Sequence, residues 1–270
     1  MRAFAFHQKF ALRRERLALM IRCIAEGEAT SEDAVATYMG VNPYMVEGFR
    51  GWLCKTGLGH ANTHTYYLSA LGQLIATHDP RLERNETQWL LHYALVNTAD
   101  EHAEMWYRFT NEFASIGMQF TSTMLQSYIT QAVPELPTNT SAIASDVKEV
   151  LKSYTHPDAL GGLGFVQKLD KSTYQIVEVA PPPPAIVGYL LFDSWARRYP
   201  SVDTLRIAQV CSEPEMPGRV LFTSRGAIIQ SLRDLQARGL VTIADTQQEP
   251  VTRRFHAAPL QLLLDYYTRL

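Results

Sequence analysis

One stretch near the N-terminus constrains the fold of this chain most, because two short helices and a hairpin follow one another within it. SEDAVATYMG predicts a helix over 31–40, and PYMVEGFRGWLCKTG predicts a second helix over 43–57. Between them, Asn42 can cap the free N–H groups of a first turn, and proline suits the first helical position. Residues 58–64 and 66–68 then predict two short strands. Helix, turn, helix and hairpin in this order is typical of a winged helix-turn-helix, which commonly binds duplex DNA.

The step from a helix through glycine into a β segment occurs twice more. VKEVLKSYT leads through ALGGLGF into alternating residues on either side of Asp170 and Lys171, which predict a hairpin tip. The segment 224–243, SRGAIIQSLRDLQARGLVTI, repeats the plan and is followed by a returning strand over 251–256. Glycine permits the left-handed residue that ends many helices. Three such copies favour tandem winged helices.

Breaks in the pattern divide the chain into three regions. Asp79, which precedes a proline, ends the first region, because a residue in that position disfavours a helix. Aromatic-rich segments over 85–97, 100–115 and 120–132 predict helices in the second region. Four prolines at 181–184 predict a stiff spacer before the third.

We therefore expect a mainly α fold with small β-hairpins (α+β), in which tandem winged helix-turn-helix modules lie around a helical middle region. The N-terminal winged helix-turn-helix covers 1–79. The middle region, 80–180, ends in a β-hairpin and is a candidate second winged helix. The C-terminal winged helix-turn-helix covers 181–270 and includes predicted helices over 185–199 and 202–211. Its closing helix, PLQLLLDYYTRL, is expected on the outside or against a partner.

Composition and charge limit the class of protein. The 270 residues are 46% hydrophobic, which indicates folded material, and the formal net charge of -2 excludes a general polycation. The charge is uneven. Residues 1–22 hold six basic side chains against one acid, residues 79–116 hold seven acids against three arginines, and residues 219–270 hold seven arginines against four acids. Any DNA contact is therefore expected at the two ends of the chain.

Cysteine usage and hydropathy bear on metal binding, export and membrane association. The three cysteines (Cys23, Cys54 and Cys211) lie far apart, which excludes a thiolate zinc site and predicts free, buried thiols. The arginine-rich N-terminus lacks the continuous apolar run of a signal peptide, and no stretch approaches the length of a membrane span. We expect a cytoplasmic protein with no membrane partner.

The C-terminal module carries the clearer candidate face for DNA. Ile228, Leu232 and Leu235 recur at helical spacing and predict the buried side of its third helix, which turns the opposite side outward. A capping serine there leaves helix N–H groups facing a phosphate, and glutamine and arginine can bind base edges or phosphates. The predicted DNA-binding residues of this module are Ser224, Arg225, Gln230, Arg233, Arg253 and Arg254. The alternative is that they are solvated polar side chains on an exposed helix.

The second helix of the N-terminal module has a less obvious contact face. Gly48 and Gly51 are expected on its outer side, where they would permit close approach of another backbone, from DNA or from a protein. The predicted DNA-binding residues of this module are Asn42, Tyr44, Arg50 and Lys55. Glu47 on the same side would repel phosphate, so a protein-docking helix is the alternative.

Four phrases occur along the chain in a characteristic order: FAFHQKFALRRERL, YMGVNPYMVEGFRGWLCKTGL, LSALGQLIATHDPRLERNETQWLLHYAL and MWYRFTNEF. This order resembles a bacterial family of DNA phosphorothioation operons, the SspB-like component of the single-strand phosphorothioation system. The resemblance covers most of the chain. Its most specific matches are Asp79-Pro80, Leu82-Glu83, Thr87, Trp89-Leu90-Leu91-His92, Phe109 and Asn111.

The resemblance implies a role in a phage-defence modification of DNA, in which sulfur replaces a non-bridging phosphate oxygen. It implies double-stranded DNA as a partner, together with a sulfurtransferase, a cysteine desulfurase and an ATPase of the same system, and it is compatible with a homodimer. It also implies that the chain nicks DNA, a reaction that commonly uses carboxylates holding Mg²⁺ or Mn²⁺.

The sequence supplies one acidic cluster for such chemistry. Asp79 and Glu83 lie in the family-like phrase and His92 lies on the next helix, so these three are the predicted catalytic residues. The metal ligands stay unknown. A structural alternative is that Asp79 starts a turn and Glu83 complements a helix N-terminus. His60 and His64 have a metal-like spacing, but they lie in a predicted hairpin, where polar residues are usual.

Two other functions fit the same sequence. A non-enzymatic adaptor would dock partner proteins through aromatic side chains of the middle region, namely Trp89, Tyr93, Trp106, Tyr107, Phe109 and Phe113. A winged-helix transcriptional regulator would instead bind a palindromic site as a homodimer. Salt-sensitive DNA binding separates the DNA-binding component from the adaptor, and a defined palindrome separates it from the regulator.

Overall fold

The structure is a computed structural model that describes residues 4–28, 31–62, 65–98, 103–133, 140–246 and 249–270. Within these residues most segments are helical, and the strands pair in three small antiparallel sheets. The expected class, mainly helical α+β, is confirmed. No helix in the described part of the chain is both long and apolar enough to cross a bilayer.

Between residues 31 and 68, the N-terminal region has the order of elements that its sequence predicts, and one further helix lies on each side. These elements are α1 (Arg14–Ala25), α2 (Glu32–Met39), α3 (Pro43–Lys55), β1 (Gly59–Ala61), β2 (Tyr66–Leu68) and α4 (Ala70–His78). The Asn42 side chain accepts the Tyr44 N–H at 2.9 Å and so caps α3. Gly57, just beyond α3, has a φ of 70°, the left-handed conformation expected of a residue that ends a helix. β1 and β2 then pair antiparallel as a hairpin.

The middle region contains more β-structure than its sequence predicts. Its elements are α5 (Asn85–Val96), α6 (Glu104–Arg108), a π-helical turn (Phe109–Phe113), β3 (Gln119–Thr121), α7 (Ser122–Ala132), α8 (Thr140–Thr155), a 3-10 turn (Gly161–Leu163), β4 (Val166–Lys168) and β5 (Thr173–Ile176). The expected hairpin is present, and the Asp170 carboxylate accepts two backbone N–H groups at its tip. The predicted helix over 120–132 is present as α7 but begins two residues later, because residues 119–121 pair with β5 as β3.

The C-terminal region also contains one strand that its sequence did not predict. Its elements are α9 (Pro184–Arg198), β6 (Thr204–Arg206), α10 (Ile207–Ser212), α11 (Pro217–Val220), α12 (Arg225–Ala237), β7 (Val241–Ile243), β8 (Pro250–Arg253) and α13 (Leu260–Tyr267). The predicted helix over 202–211 starts instead as β6, which pairs with β8. Because Thr204 and Leu205 gain ladder partners there, a strand replaces the first part of the helix.

The middle and C-terminal regions share one connection plan. In each, a strand precedes two or more helices and a hairpin, and that strand pairs with the second strand of the hairpin. The resulting sheet orders are β3-β5-β4 and β6-β8-β7. In both regions, therefore, the helix before the hairpin is placed next to a three-stranded sheet.

The three regions are joined by a continuous apolar core. The His92 ring on α5 contacts Tyr154 of α8 and the Val220 carbonyl of α11, which ties the middle and C-terminal regions together. The proline run is packed rather than free: Pro182 is buried, and Pro184 starts α9. The closing helix α13 packs on α9 and α4 of the same chain. The regions are therefore parts of one packed body.

Candidate nucleic-acid interface

Helix α12 is amphipathic in the way that its sequence predicts. The Ser224 side chain accepts the Ala227 N–H at 3.4 Å and caps the helix. Ile228, Leu232 and Leu235 are fully buried, whereas the opposite side is exposed to solvent. The residues of that exposed side are Gly226, Gln230, Arg233 and Ala237. The helix thus presents one polar stripe immediately before the β7–β8 hairpin.

Three arginines of this region are available to a polyanion. Arg233 and Arg238 on and after α12, and Arg254 after β8, are all exposed. Their guanidinium groups form no hydrogen bond or ion pair within the described residues. Open space also surrounds Gly226, since a Cβ built there would meet no atom within 4 Å. At Gly226, in the first turn of α12, no other part of the described chain lies directly over the exposed side of the helix.

The other predicted contact residues of this module already have intramolecular partners. The pairs are Arg225 with Glu249, Arg253 with Asp203 at 3.4 Å, Gln230 with Asp234 at 3.1 Å, and the Ser224 N–H with Glu178 at 3.3 Å. The Arg253 side chain is only 19% exposed. These residues would have to exchange partners to bind DNA. Arg233 and Arg254 are therefore the better candidates for DNA contact. Arg254 is better placed than Arg253, because it is exposed and Arg253 is paired with Asp203.

The outer side of α3 is covered by the chain itself. A Cβ on Gly51 would lie 2.4 Å from the Phe6 carbonyl oxygen, and one on Gly48 would lie 2.6 Å from the Phe10 ring. The expectation of an exposed glycine face was therefore wrong for Gly48, which is buried. The backbone that approaches so closely belongs to residues 4–10, called here the N-terminal strap.

The N-terminal strap is held in place by buried polar contacts. The His7 Nε2 lies 2.9 Å from the Asp146 carboxylate on α8, and both residues are fully buried. The Ala5 N–H donates to the same carboxylate at 2.9 Å. The Trp52 indole N–H of α3 donates to the Phe10 carbonyl at 2.9 Å. The strap thus closes one side of the N-terminal helix pair.

The covered glycines leave little of α3 for DNA. Asn42 and Tyr44 remain exposed at its start, and the Tyr44 side chain is 59% exposed. Arg50 is half-buried. Lys55 lies at the far end of the helix, in a pocket of about 340 Å³ that Tyr189 and other residues of the C-terminal region also line. The structure does not bring the four residues into one exposed patch.

The loop after α4 places two of the predicted catalytic residues in different environments. The Asp79 carboxylate is buried and accepts the backbone N–H groups of Glu83 and Arg84, at 3.1 and 3.0 Å. The Glu83 side chain is exposed. Leu82 between them is buried and has a φ of 56°, a conformation that non-glycine residues rarely adopt. These contacts are those of a residue that starts a turn, which is the structural alternative to a catalytic role for Asp79.

The third predicted catalytic residue, His92, lies inside the core. Both ring nitrogens have partners, the Tyr154 hydroxyl at 2.7 Å and the Val220 carbonyl at 3.0 Å. Burial lowers its pKa to about 4, so the imidazole is neutral at pH 7. His92 is fully buried and is not positioned to meet a substrate on the surface.

The described residues contain no group of three or more histidine, cysteine or acidic side chains arranged to hold a metal ion. Asp79, Glu83 and His92 therefore do not form such a group. His60 is exposed in β1, whereas His64 lies outside the described residues. The three cysteines form no disulfide bond; Cys23 is buried, as predicted, whereas Cys54 and Cys211 are only half-buried. Burial raises the pKa of Cys23 to about 11.

The aromatic residues of the middle region form core rather than surface. Trp89, Tyr93, Trp106 and Phe109 are buried, and Tyr107 and Phe113 are half-buried. The Trp106 ring packs edge-on against Trp52 of α3, with 5.3 Å between ring centroids. The docking surface that an adaptor would need is therefore not supplied by these side chains.

Comparison with known proteins places the whole fold. The profile of a family described as "Protein of unknown function (DUF4007)" matches residues 4–267. The fold is similar to a magnesium ion-bound SspB crystal structure, with a TM-score of 0.82, and to a second SspB crystal structure, with a TM-score of 0.81. In each comparison the two sequences are 22% identical, and the matched residues cover 98% of this chain and 88% of the SspB chain. No curated protein sequence gave a match. The chain belongs to the DUF4007 family and has an SspB-like fold.

Proposed function

We propose that this protein is a duplex DNA-binding component of a DNA phosphorothioation system. In this proposal the three regions are winged helix-turn-helix modules, and the C-terminal one makes the principal DNA contact. α12 lies against the major groove and the β7–β8 hairpin lies beside it. The phosphorothioation context comes from the SspB-like fold and from the family-like phrases of the sequence.

The observation that carries the proposal is the polar stripe of α12 with its partner-free arginines. The guanidinium of Arg233 points away from the buried side of the helix, where Ile228 and Leu232 pack. Arginine binds phosphates and guanine edges in bidentate geometry, so a free, exposed guanidinium on such a helix suits DNA. Arg254 follows the second strand of the hairpin, which suits contact with the sugar-phosphate backbone.

A gel-shift experiment tests this proposal. The wild-type protein is expected to retard a linear duplex at low salt, and the double variant Arg233→Ala/Arg254→Ala is expected to bind at least tenfold more weakly. Lys9→Ala/Arg269→Ala, which removes two exposed charges from the N-terminal strap and from the residues after α13, is the matched control. Failure of the wild-type protein to retard duplex DNA would overturn the proposal. Equal binding by the double variant would place the contact face elsewhere.

The proposed partners follow from the same context. A sulfurtransferase, a cysteine desulfurase and an ATPase of the system would act on the DNA that this chain binds. Co-purification of these proteins with the chain on immobilised duplex, but not on bare resin, is the expected result. Association that is unchanged when the DNA is removed would favour the adaptor function instead.

One SspB structure is described as magnesium ion-bound, so the fit of Mg²⁺ to this chain can be considered. Mg²⁺ takes oxygen ligands, usually one or two carboxylates with several waters. The buried carboxylates of Asp79 and Asp146 already accept N–H groups on both oxygens. The described residues bring no set of metal ligands together. They do not fit this ion, and we derive no cleavage step from it.

Nicking of DNA stays a prediction of the resemblance. Supercoiled plasmid incubated with the protein and Mg²⁺ or Mn²⁺ would relax if the chain nicks one strand. Loss of that relaxation in Asp79→Ala/Glu83→Ala, in a preparation that keeps the circular dichroism spectrum of the wild-type protein, would assign a role in cleavage to these carboxylates. Relaxation that persists in the double variant would place the active site elsewhere.

A further inference from the structure

The middle region repeats the connection plan that positions α12 in the C-terminal region. In the two sheets, β3-β5-β4 and β6-β8-β7, the strands occupy equivalent places. α8 therefore corresponds to α12, and the β4–β5 hairpin corresponds to the β7–β8 hairpin. If α12 and the β7–β8 hairpin contact DNA, then α8 and the β4–β5 hairpin are placed to make a similar contact.

The solvent side of α8 is basic. Val147, Val150 and Leu151 are buried, and the acidic residues of this helix, Asp146 and Glu149, are buried too. The opposite stripe includes the exposed residues Ser141, Ala144 and Lys148, and the half-buried Lys152 one turn further along. No ion pair to either lysine is formed within the described residues. The exposed side of α8 thus carries lysines and no acidic side chain.

The tip of the β4–β5 hairpin carries the same sign of charge. Lys168 and Lys171 are exposed on either side of the turn, and the Leu169 side chain between them is 46% exposed. The one acid at the tip, Asp170, is engaged by the turn, because its carboxylate accepts the N–H groups of Ser172 and Thr173. These contacts lower the pKa of Asp170 to about 2.

The tip of the corresponding C-terminal hairpin has the opposite character. Its described residues include the acids Asp245 and Glu249, and they include no lysine or arginine. Four of the six lysines of the chain lie on α8 and the β4–β5 hairpin. Hairpin tips that meet DNA lie against phosphates, so the basic tip is the better suited of the two.

We propose that the middle region is a second duplex DNA-contact surface, formed by Lys148 and Lys152 of α8 and by Lys168 and Lys171 of the β4–β5 hairpin. The lysines of α8 bind phosphates along the groove that this helix faces. The hairpin lysines bind the adjacent backbone, and Leu169 contacts the sugars there. This inference rests on the proposed function, and it adds a surface where the charge of the sequence had favoured only the two ends.

Lysine footprinting tests the proposal on the wild-type protein. The protein is acetylated under limiting conditions with and without saturating duplex DNA, and each lysine is measured by mass spectrometry. The four lysines are expected to be protected at least threefold by the duplex. Lys9, exposed on the N-terminal strap, is the internal control and should react equally in both samples. Anisotropy of a labelled duplex in the same sample establishes that DNA is bound.

The outcomes separate this inference from the proposed function. If the duplex is bound but the four lysines react as fast as they do without DNA, the inference is overturned and the α12 contact is unaffected. No binding of DNA by the wild-type protein overturns both. As a second measurement, Lys168→Gln/Lys171→Gln is expected to lower the slope of log affinity against log salt by about 2. The control Lys9→Gln/Arg269→Gln, which removes the same charge elsewhere, should lower it less, and equal slopes would count against the proposal.

Discussion

The Nε2 atom of His92 lies 3.0 Å from the Val220 carbonyl oxygen, and this bond joins α5 to the C-terminal region inside the core. A carbonyl oxygen can only accept, so the ring proton lies on Nε2. The Tyr154 hydroxyl then donates to Nδ1 at 2.7 Å. The neutral imidazole satisfies both partners, and burial lowers its pKa to about 4.

This environment predicts a pH-dependent stability. The unfolded chain binds a proton at His92 below a pKa of about 6.5, whereas the folded chain does so only near 4. Unfolding is therefore accompanied by proton uptake between these values, and stability falls as the pH is lowered through this window. From pH 7 to pH 5 we expect this residue to cost about 2 kcal/mol of the free energy of unfolding.

Urea unfolding at both pH values measures this cost, with His92→Gln as the comparison. Glutamine keeps an amide donor and acceptor but gains no proton. The variant is therefore expected to lose less stability than the wild type over the same interval, even if it is less stable at pH 7. Equal losses in the two proteins would show that His92 is not the buried neutral group described.

The contact of Gly51 with the strap predicts a sharp difference between two helix glycines. Gly51→Ala forces its methyl group against the Phe6 carbonyl, which a Cβ would approach to 2.4 Å. We expect this change to cost about 1–3 kcal/mol. Gly226→Ala meets no atom within 4 Å and should be neutral or stabilising by up to about 1 kcal/mol. Thermal unfolding of both variants checks this, and equal effects would contradict the packing of the strap on α3.

The loop after α4 predicts unequal effects from its two acids. Asp79→Ala leaves the Glu83 and Arg84 N–H groups without their buried acceptor, so we expect a loss of roughly 2 kcal/mol in the free energy of unfolding. Glu83→Ala, which removes an exposed side chain, should change it by no more than about 0.5 kcal/mol. Urea unfolding distinguishes them. Similar free energies of unfolding for the two variants would contradict the structural role of Asp79.

The local signals of the sequence predicted most of the helices and hairpins. Asn42 as a cap, Gly57 at a helix end and Asp170 at a hairpin tip all act within a few residues of themselves. The stripe of α12 was predicted for the same reason, since Ile228, Leu232 and Leu235 recur at helical spacing.

Long-range pairing explains what the sequence could not predict. β3 and β6 are short, and each becomes a strand only because a hairpin that lies about 50 residues later pairs with it. The covering of α3 by the strap has the same origin. Gly48 and Gly51 did indicate a close approach of another backbone, but nothing local identified that backbone as residues 4–10 of the same chain.

In the candidate site, too, local features were predicted and long-range contacts were not. Exposure of Gln230 and Arg233 follows from helical periodicity and was predicted. The ion pairs of Arg225 and Arg253 join separate elements, so no local pattern indicated them. The acids over 79–116 favoured only the two ends of the chain, whereas the lysines of the middle region lie beyond that stretch. No local pattern indicated that their acidic neighbours on α8, Asp146 and Glu149, are buried.

In the proposed function, the exposed side of α12 and the end of β8 bind the DNA backbone. The most direct test is the salt dependence of duplex affinity, measured by fluorescence anisotropy for the wild type and for Arg233→Gln/Arg254→Gln. We predict that the double variant lowers the slope of log affinity against log salt by about 2, the contribution of two phosphate contacts. A slope and an affinity equal to those of the wild type would contradict the account.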